Sequence, residues 1–373
     1  MNVVFTCGGT GGHINPAIAV ANIWKERHPD SKILFVGGNG ELEKKLIANA
    51  GFALEGTPAA AFARGMSLES IKHNLHAVSR IRLGIKKCKK LLKDFQADIV
   101  VGTGGWPSFP AIMAAHQLKI PICVHESNAL PGLTTRLTAG WAEKVLVCFP
   151  ESAQYYKDPK KVEVVGMPVR REFIFTQKDA ARKELGLEQK PFVVSAFGSQ
   201  GARAMNEAVG NLLKMEQDAD FPFQHTHAVG RFGMAWMPEY LKNLGVNLEG
   251  QKGVAVQEYI YNMPTLMAAA DVVISRAGAS TCNEIAASGT PCILVPSPNV
   301  TDNHQEKNAR ALEAQGGAVV ILEKDCNAQS LMAAVQSLLE DPQRREQMRK
   351  SLLRMAVPDS AERVCNIMET LIS

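Results

Sequence analysis

At four points in this 373-residue sequence a short apolar run meets glycines just before a helical stretch, and backbone in that position can hold a phosphate. The four are GGTGGH (Gly8 to His13), GTGGWPSFP after Val101, GSQGAR after Phe197 and SRAGAST after Ile274. A helix N-terminus offers unpaired N–H groups and a partial positive charge, and glycine lets an anion or a sugar approach the chain. GGTGGH is not a Walker loop, because no Lys-Ser/Thr follows it. It is a poor dinucleotide fingerprint too: a third glycine is missing, and the second strand ends in VGGNGELEKK with no acid at its tip for a ribose. One glycine turn is ordinary in such folds; four at the same structural position point to ligand binding. In SRAGASTCNE two readings stand side by side. Thr281 and Glu284 have the spacing of a capping box. Alternatively, Glu284 accepts from a ribose diol while Ala279, Ser280 and Thr281 turn N–H groups to a diphosphate. Asp218 and Asp220 form a D-x-D, a pattern that can bind metal, but they sit among turn residues and read as a solvated loop. No metal is therefore expected, and a leaving diphosphate would be neutralised by helix N-termini and an arginine.

The elements that must position these loops alternate strand and helix throughout, which predicts α/β architecture with mainly parallel sheets. NVVFTC, KILFVG, ADIVVG, IPICVH and KVLVCF are short and largely β-branched, as strands buried on both faces are. Helical stretches are expected from Pro16 to Arg27, from Glu41 to Ala50, and from about Asp359 to Leu371 with Asp359 or Ser360 as cap. The second half repeats the first. ADIVVGTGGWPSFPAIMAAHQLKIPICVHESN is echoed by ADVVISRAGASTCNEIAASGTPCILVPSPN, at an offset of 173 residues from Asp98 to Asp271. Two doubly wound domains in tandem follow, residues 1–165 with about 357–373, and residues 166–356. In such sheets ligands bind beyond the carboxyl ends of the strands, so a cleft between the glycine loops of two facing domains is expected.

Composition is that of a globular protein, with 46% hydrophobic and 21% charged residues. No apolar run nears the roughly 20 residues needed to cross a bilayer, and MNVVFTCGG lacks the features of a signal peptide. Eight scattered cysteines without metal-site spacing read as free thiols in a reducing compartment. Net charge is only +4, yet Ser70 to Lys93 holds eight Lys or Arg and no acid, leaving 33 bases against 37 acids elsewhere. Such a patch asks for an anionic partner. Ile71, Leu75, Val78, Ile81, Ile85, Cys88, Leu92 and Phe95 recur at helical spacing through it. The segment is either a core-packing helix, or two broken at Gly84, with a solvated basic face, or a surface for anionic lipid. Without interleaved aromatics or a recognisable module, nucleic acid is not a partner.

Seven motifs in order resemble the MurG family of peptidoglycan glycosyltransferases, which add N-acetylglucosamine to lipid I to make lipid II. They are GGTGGHINP, HESNALPGLTTR (His125 to Arg136), GMPVR (Gly166 to Arg170), GSQGARAMN, EYIYNM, DVVISRAGAST and DNHQEKNAR (Asp302 to Arg310), covering the chain almost end to end. The resemblance implies a GT-B fold of two Rossmann-like domains, inverting chemistry, and neither cofactor nor required metal. It implies that Thr10, Gly11 and Gly12 lie near the donor's sugar and diphosphate and that Asn128 reaches the sugar. Arg170 and Ser199 would meet the diphosphate or nucleotide, Ile260 the uracil, and Ser280, Thr281 and Glu284 the phosphate and ribose. Gln305 with His304 would contact sugar hydroxyls, Asn308 supporting that loop. The chain departs from the family pattern at GGWPSFP, where GGYVSGP is usual, at Phe197 for a glycine and at Met167 for an asparagine.

For that reaction the acceptor 4-hydroxyl attacks the anomeric carbon opposite the departing UDP, and a base takes its proton. His13 is the first candidate and Glu126 the second. The implied partners are UDP-N-acetylglucosamine, the undecaprenyl-diphosphate-linked acceptor and an anionic membrane surface, with other cell-wall synthesis and division proteins as further candidates. Arg80, Arg82, Lys86, Lys87, Lys89, Lys90 and Lys93 would face the membrane, making the protein peripheral on its cytoplasmic side. The alternatives are a non-catalytic nucleotide-sugar-binding scaffold, a nicotinamide oxidoreductase, which the poor fingerprint disfavours, and a nucleotide-sugar epimerase, which would lack the basic segment.

Overall fold

The computed structural model describes residues 1–60, 68–128, 130–300 and 303–372, apart from the side chains of Leu68, Ser70, Ile71, His73 and Leu75. The stripe side chains Ile71 and Leu75, and the motif residues Ala129 and Asp302, lie outside that description. The chain forms two compact units, Met1–Arg170 with Val357–Ser373, and Arg171–Ala356.

The first unit holds seven strands: β1 Asn2–Cys7, β2 Lys32–Gly37, β3 Ala53–Gly56, β4 Ile99–Gly102, β5 Ile122–Glu126, β6 Lys144–Val147 and β7 Val162–Val164. They make one parallel sheet in the order β3-β2-β1-β4-β5-β6-β7. Successive side chains of a strand point to opposite faces, so Val3 and Phe5 enter one apolar cluster while Val4 enters another. The first cluster is closed by Val364, Cys365 and Met368 of the last helix, Ser360–Ile372. That helix starts from Asp359, whose carbonyl accepts from the Arg363 N–H at 2.9 Å and whose carboxylate pairs with its guanidinium. It packs on helix Gly11–Arg27, where His28 and Glu369 meet at 3.0 Å.

The first helix is longer than expected. It begins at Gly11, not Pro16, from Thr10 in extended conformation, and runs through Pro16. Its first turn is therefore made of Gly11, Gly12 and His13, and Pro16, one turn on, removes a single amide bond without breaking the helix. The basic segment is one helix, Leu68–Phe95, unbroken at Gly84. Glycine stands there because the helix crosses Pro58 and Pro110 too closely for a side chain; a methyl would overlap the Pro58 carbonyl. Its buried side carries Ala77, Ile81, Cys88 and Leu92.

The second unit holds β8 Phe192–Ala196, β9 Gln224–Ala228, β10 Val254–Gln257, β11 Val272–Ser275, β12 Cys292–Leu294 and β13 Ala318–Val320. The order β10-β9-β8-β11-β12-β13, again parallel, repeats that of the first unit around its central strands. In both sheets the winding reverses at the centre, between β1 and β4 and between β8 and β11. Loops at that reversal diverge and leave room for a ligand. The four glycine segments follow these four strands. Among the described residues no helix is long and apolar enough to cross a membrane.

Candidate functional site

In the first unit the loops after β1, β2 and β4 close on one another through glycine. A side chain on Gly8 would run into the Pro107 ring, so the proline that distinguishes GGWPSFP is seated against a glycine. Gly104 and Gly105 have φ of +104° and +84°, and a Cβ on Gly104 would lie 2.7 Å from His13 Nδ1. That closeness brings Nδ1 to 3.1 Å from the Thr103 carbonyl, while the Thr103 hydroxyl donates to the His13 carbonyl at 2.6 Å. A carbonyl only accepts, so the neutral ring carries its proton on Nδ1 and keeps a lone pair on Nε2. Burial lowers the pKa of His13, and the charge of Glu126 only partly opposes this. The imidazole is thus held neutral, with one nitrogen ready to take a proton.

Glu126 ends β5 and is buried. Its Oε1 accepts from the backbone and side-chain N–H groups of Asn128, each at 2.9 Å, and its Oε2 from Gly132 N at 2.9 Å. Three N–H donors on one carboxylate tie Asn128 and Gly132 to the end of β5, so the side chain is occupied as an anchor. Ser152 further ties the Asn128 carbonyl at 3.2 Å. Cys7, at the end of β1, is pushed up to about 12 by burial and supplies no nucleophile beside the glycines.

In the second unit Gly201 and Gly230 sit back to back, where a Cβ on either would strike the other's segment. The Arg231 and Phe232 amides reach Ser199 and Gln200 carbonyls at 3.0 and 3.3 Å, so the loops after β8 and β9 form one ledge. Helix Ala279–Ser288 starts at Gly278 (φ −66°, ψ 149°), without a side-chain cap. Thr281 therefore lies inside the first turn and Glu284 a turn further, which overturns the capping-box reading: the glycine occupies the cap that Thr281 would need. The Asn308 side chain donates to the Ala277 carbonyl at 3.0 Å, and Gln305 Oε1 accepts from Ser297 N at 2.9 Å. His304, Gln305 and Asn308 all belong to helix His304–Ala314, so one helix gathers the loops after β11 and β12. The Ile260 side chain is buried. Asp218 ends helix Arg203–Asp218, paired with Lys214, while Asp220 turns at φ +56°.

The structure thus gathers Thr10, Gly11, Gly12, His13, Glu126 and Asn128 at the strand ends of the first unit, with Arg170 at that unit's boundary. It gathers Ser199, Ile260, Ser280, Thr281, Glu284, His304, Gln305 and Asn308 in the second. On the basic helix Arg80, Arg82, Lys86, Lys87, Lys90 and Lys93 are exposed and Lys89 half-buried, with Leu83 59% exposed among them. Lys87 is partly committed, donating to the Gly56 carbonyl at 2.6 Å. Several shaping residues had no sequence signal. Glu43, in the first turn of helix Glu41–Asn49 after β2, accepts from the Gly9 N–H at 3.0 Å. Thr103 sets the His13 tautomer, and Arg276 joins Glu323 across 47 residues.

Residues 3–147 match the Glycosyltransferase family 28 N-terminal domain and residues 192–364 its C-terminal domain. The chain is 38% identical over 373 residues to a protein of Acetivibrio thermocellus, covering 100% of this chain and 98% of that one. It is 40% identical over 372 residues to one of Caldanaerobacter subterraneus subsp. tengcongensis, with full coverage of both. Each bears the name UDP-N-acetylglucosamine–N-acetylmuramyl-(pentapeptide) pyrophosphoryl-undecaprenol N-acetylglucosamine transferase. The crystal structure of Acinetobacter baumannii MurG is similar at TM-score 0.65 and 22% identity, covering 99% of both chains. A Neisseria meningitidis UDP-GlcNAc 2-epimerase bound to UDP-GlcNAc is similar at TM-score 0.67 and 16% identity, covering 99% of this chain and 100% of that one. These two likenesses are of fold, which is GT-B.

Proposed function

The chain belongs to glycosyltransferase family 28, among the N-acetylmuramyl-(pentapeptide) pyrophosphoryl-undecaprenol N-acetylglucosamine transferases, and we propose that it transfers N-acetylglucosamine from its UDP donor to lipid I. The product is lipid II, a peptidoglycan precursor, and UDP leaves. The first unit takes the lipid-linked acceptor and the second takes the nucleotide sugar. The acceptor's 4-hydroxyl oxygen forms the new bond to the anomeric carbon as the bond to the diphosphate oxygen breaks, with inversion. The hydroxyl proton passes to His13 Nε2, and the bonding pair leaves with UDP.

The observation that carries this reading is the fixed, neutral His13 tautomer on the first turn beyond β1, beside glycine backbone. Glu126 acts through the turn it anchors, presenting Asn128. In the second unit, the amides of Ala279, Ser280 and Thr281 on a ten-residue helix are the donors for a diphosphate, and Glu284 receives the ribose. Arg170, Ser199, Ile260, His304 and Gln305 complete the nucleotide and sugar contacts. The exposed bases of helix Leu68–Phe95, with Leu83 between them, suit a peripheral position on anionic lipid at the cytoplasmic face, where the acceptor is anchored.

The test is UDP release from UDP-N-acetylglucosamine by purified protein, with and without a lipid I analogue, beside sedimentation with anionic and neutral vesicles. Acceptor-dependent release and salt-sensitive binding to the anionic vesicles alone are expected. UDP-sugar binding without turnover on any lipid I analogue would instead identify a non-catalytic binder, with GGWPSFP the suspected cause.

A further inference from the structure

Arg276 follows β11 and lies with its side chain 11% exposed among the strand ends of the second unit. Its Nη1 donates to the Val295 carbonyl at 3.1 Å, Nη2 pairs with the Glu323 carboxylate, and the guanidinium stands 6.0 Å from the centre of the Phe197 ring. Each partner comes from a different strand end: Phe197 follows β8, Val295 follows β12 and Glu323 lies just beyond β13. Its own backbone runs on to Ala277, whose carbonyl holds Asn308, and to Gly278, which caps the helix bearing Ser280, Thr281 and Glu284. The neighbouring Ser275 hydroxyl joins the same seam, donating to the Ala196 carbonyl at 2.9 Å.

We propose that Arg276 is a positioning residue of the nucleotide-sugar site, a clamp that with Glu323 holds the ends of β8, β11, β12 and β13 so that the helix from Ala279 meets its ligand in place. The proposal rests on reading the second unit as the donor unit. Arg276 sits in a glycine segment where an arginine could serve as the cation for a diphosphate, but its contacts say otherwise. Its charge is neutralised by Glu323, and one edge of its fork is spent on a backbone carbonyl. A planar fork can satisfy both partners at once, whereas lysine's single ammonium reaches one or the other.

The experiment is UDP binding by calorimetry, together with steady-state kinetics, for the wild type, Glu323→Gln, Glu323→Asp and Arg276→Lys, with melting curves as a folding control. Glu323 is partly solvent-exposed, so its variants keep the fold. Loosening this partly buried charged pair predicts that Glu323→Gln weakens UDP binding and raises the donor KM about tenfold, kcat staying within about twofold. Glu323→Asp restores most of the affinity, and Glu323→Gln adds little to Arg276→Lys, because both break one clamp. Unchanged UDP affinity in Glu323→Gln overturns the proposal. So does a loss of UDP affinity in Arg276→Lys that Glu323→Gln does not share, which would make Arg276 a direct partner of the diphosphate. A wild-type protein that does not bind UDP refutes the donor reading itself, and the clamp's purpose with it.

Discussion

Across β8, β9 and helix Arg203–Asp218 the second unit carries a buried polar chain whose response to pH can be worked out from its bonds. Glu216 Oε1 lies 2.8 Å from His225 Nδ1, His225 Nε2 lies 2.8 Å from the Ser195 hydroxyl, and that hydroxyl lies 2.7 Å from His227 Nδ1. The Ser195 carbonyl, 3.2 Å from the same Nδ1, can only accept, so His227 keeps its proton there and Nε2 stays bare and buried. Burial first, then the nearby His225, lower the pKa of His227 from 6.5 to about 3. The fold therefore holds the neutral ring, while the unfolded chain takes up a proton near pH 6.5. The stabilisation is whole above pH 6.5 and shrinks as pH falls toward 3. At about pH 5 the unfolded histidine is one and a half pH units below its midpoint and the folded one still neutral, so about 2 kcal/mol is lost from this residue. His227→Asn keeps a donor toward Ser195 but cannot titrate. Hydrogen exchange of the β8 and β9 amides, followed against urea at pH 7.5 and 5.0, reads this unit by itself. The wild type should lose about 2 kcal/mol more than His227→Asn between these conditions, the histidines outside this chain cancelling in the comparison. Equal losses would refute the reasoning.

His13→Gln should lower kcat by about a hundredfold or more with little change in donor KM, read from acceptor-dependent UDP release; retention of most activity would move the base elsewhere. Glu126→Gln leaves one amide oxygen for three N–H groups, so the Asn128 and Gly132 amides should exchange faster and the donor KM should rise, because Asn128 is the residue read as reaching the donor sugar. Unchanged exchange would mean that the carboxylate does not anchor the turn. Gly84→Ala must push helix Leu68–Phe95 off Pro58, at a cost of about 1–3 kcal/mol seen as a lower melting temperature. A variant that melts with the wild type would refute a close crossing at Gly84.

The parallel α/β plan was legible in the chain because each signal is local. Runs such as NVVFTC and ADIVVG are short and apolar because both faces of the sheet are covered, and glycine marks where the backbone must turn or nearly touch another segment. The repeat offset and the order of the glycine segments placed the loops at the right strand ends, and the motifs carried the family. Helix starts were less legible. Gly11 and Gly278 open helices that their composition does not announce, since glycine is a weak helix former and the deciding contacts lie elsewhere. Strand β9 reads QHTHA, polar at four of five positions, yet is buried throughout. Ser195 and Glu216, on other elements, take up its two histidines, and the Lys252 carbonyl accepts from Gln224.

What the sequence determined by itself was the type of element at each point and the residue kinds brought to the strand ends, because hydrophobic period and turn chemistry act over a few residues. Which nitrogen of His13 holds the proton, what Glu126 is occupied with, and that Arg276 faces Glu323 were decided by tertiary structure alone. Those choices depend on hydrogen bonds that join distant parts of the chain or close only at a folded turn. Such bonds leave no trace in local composition, because the partners become neighbours only after the sheets have formed.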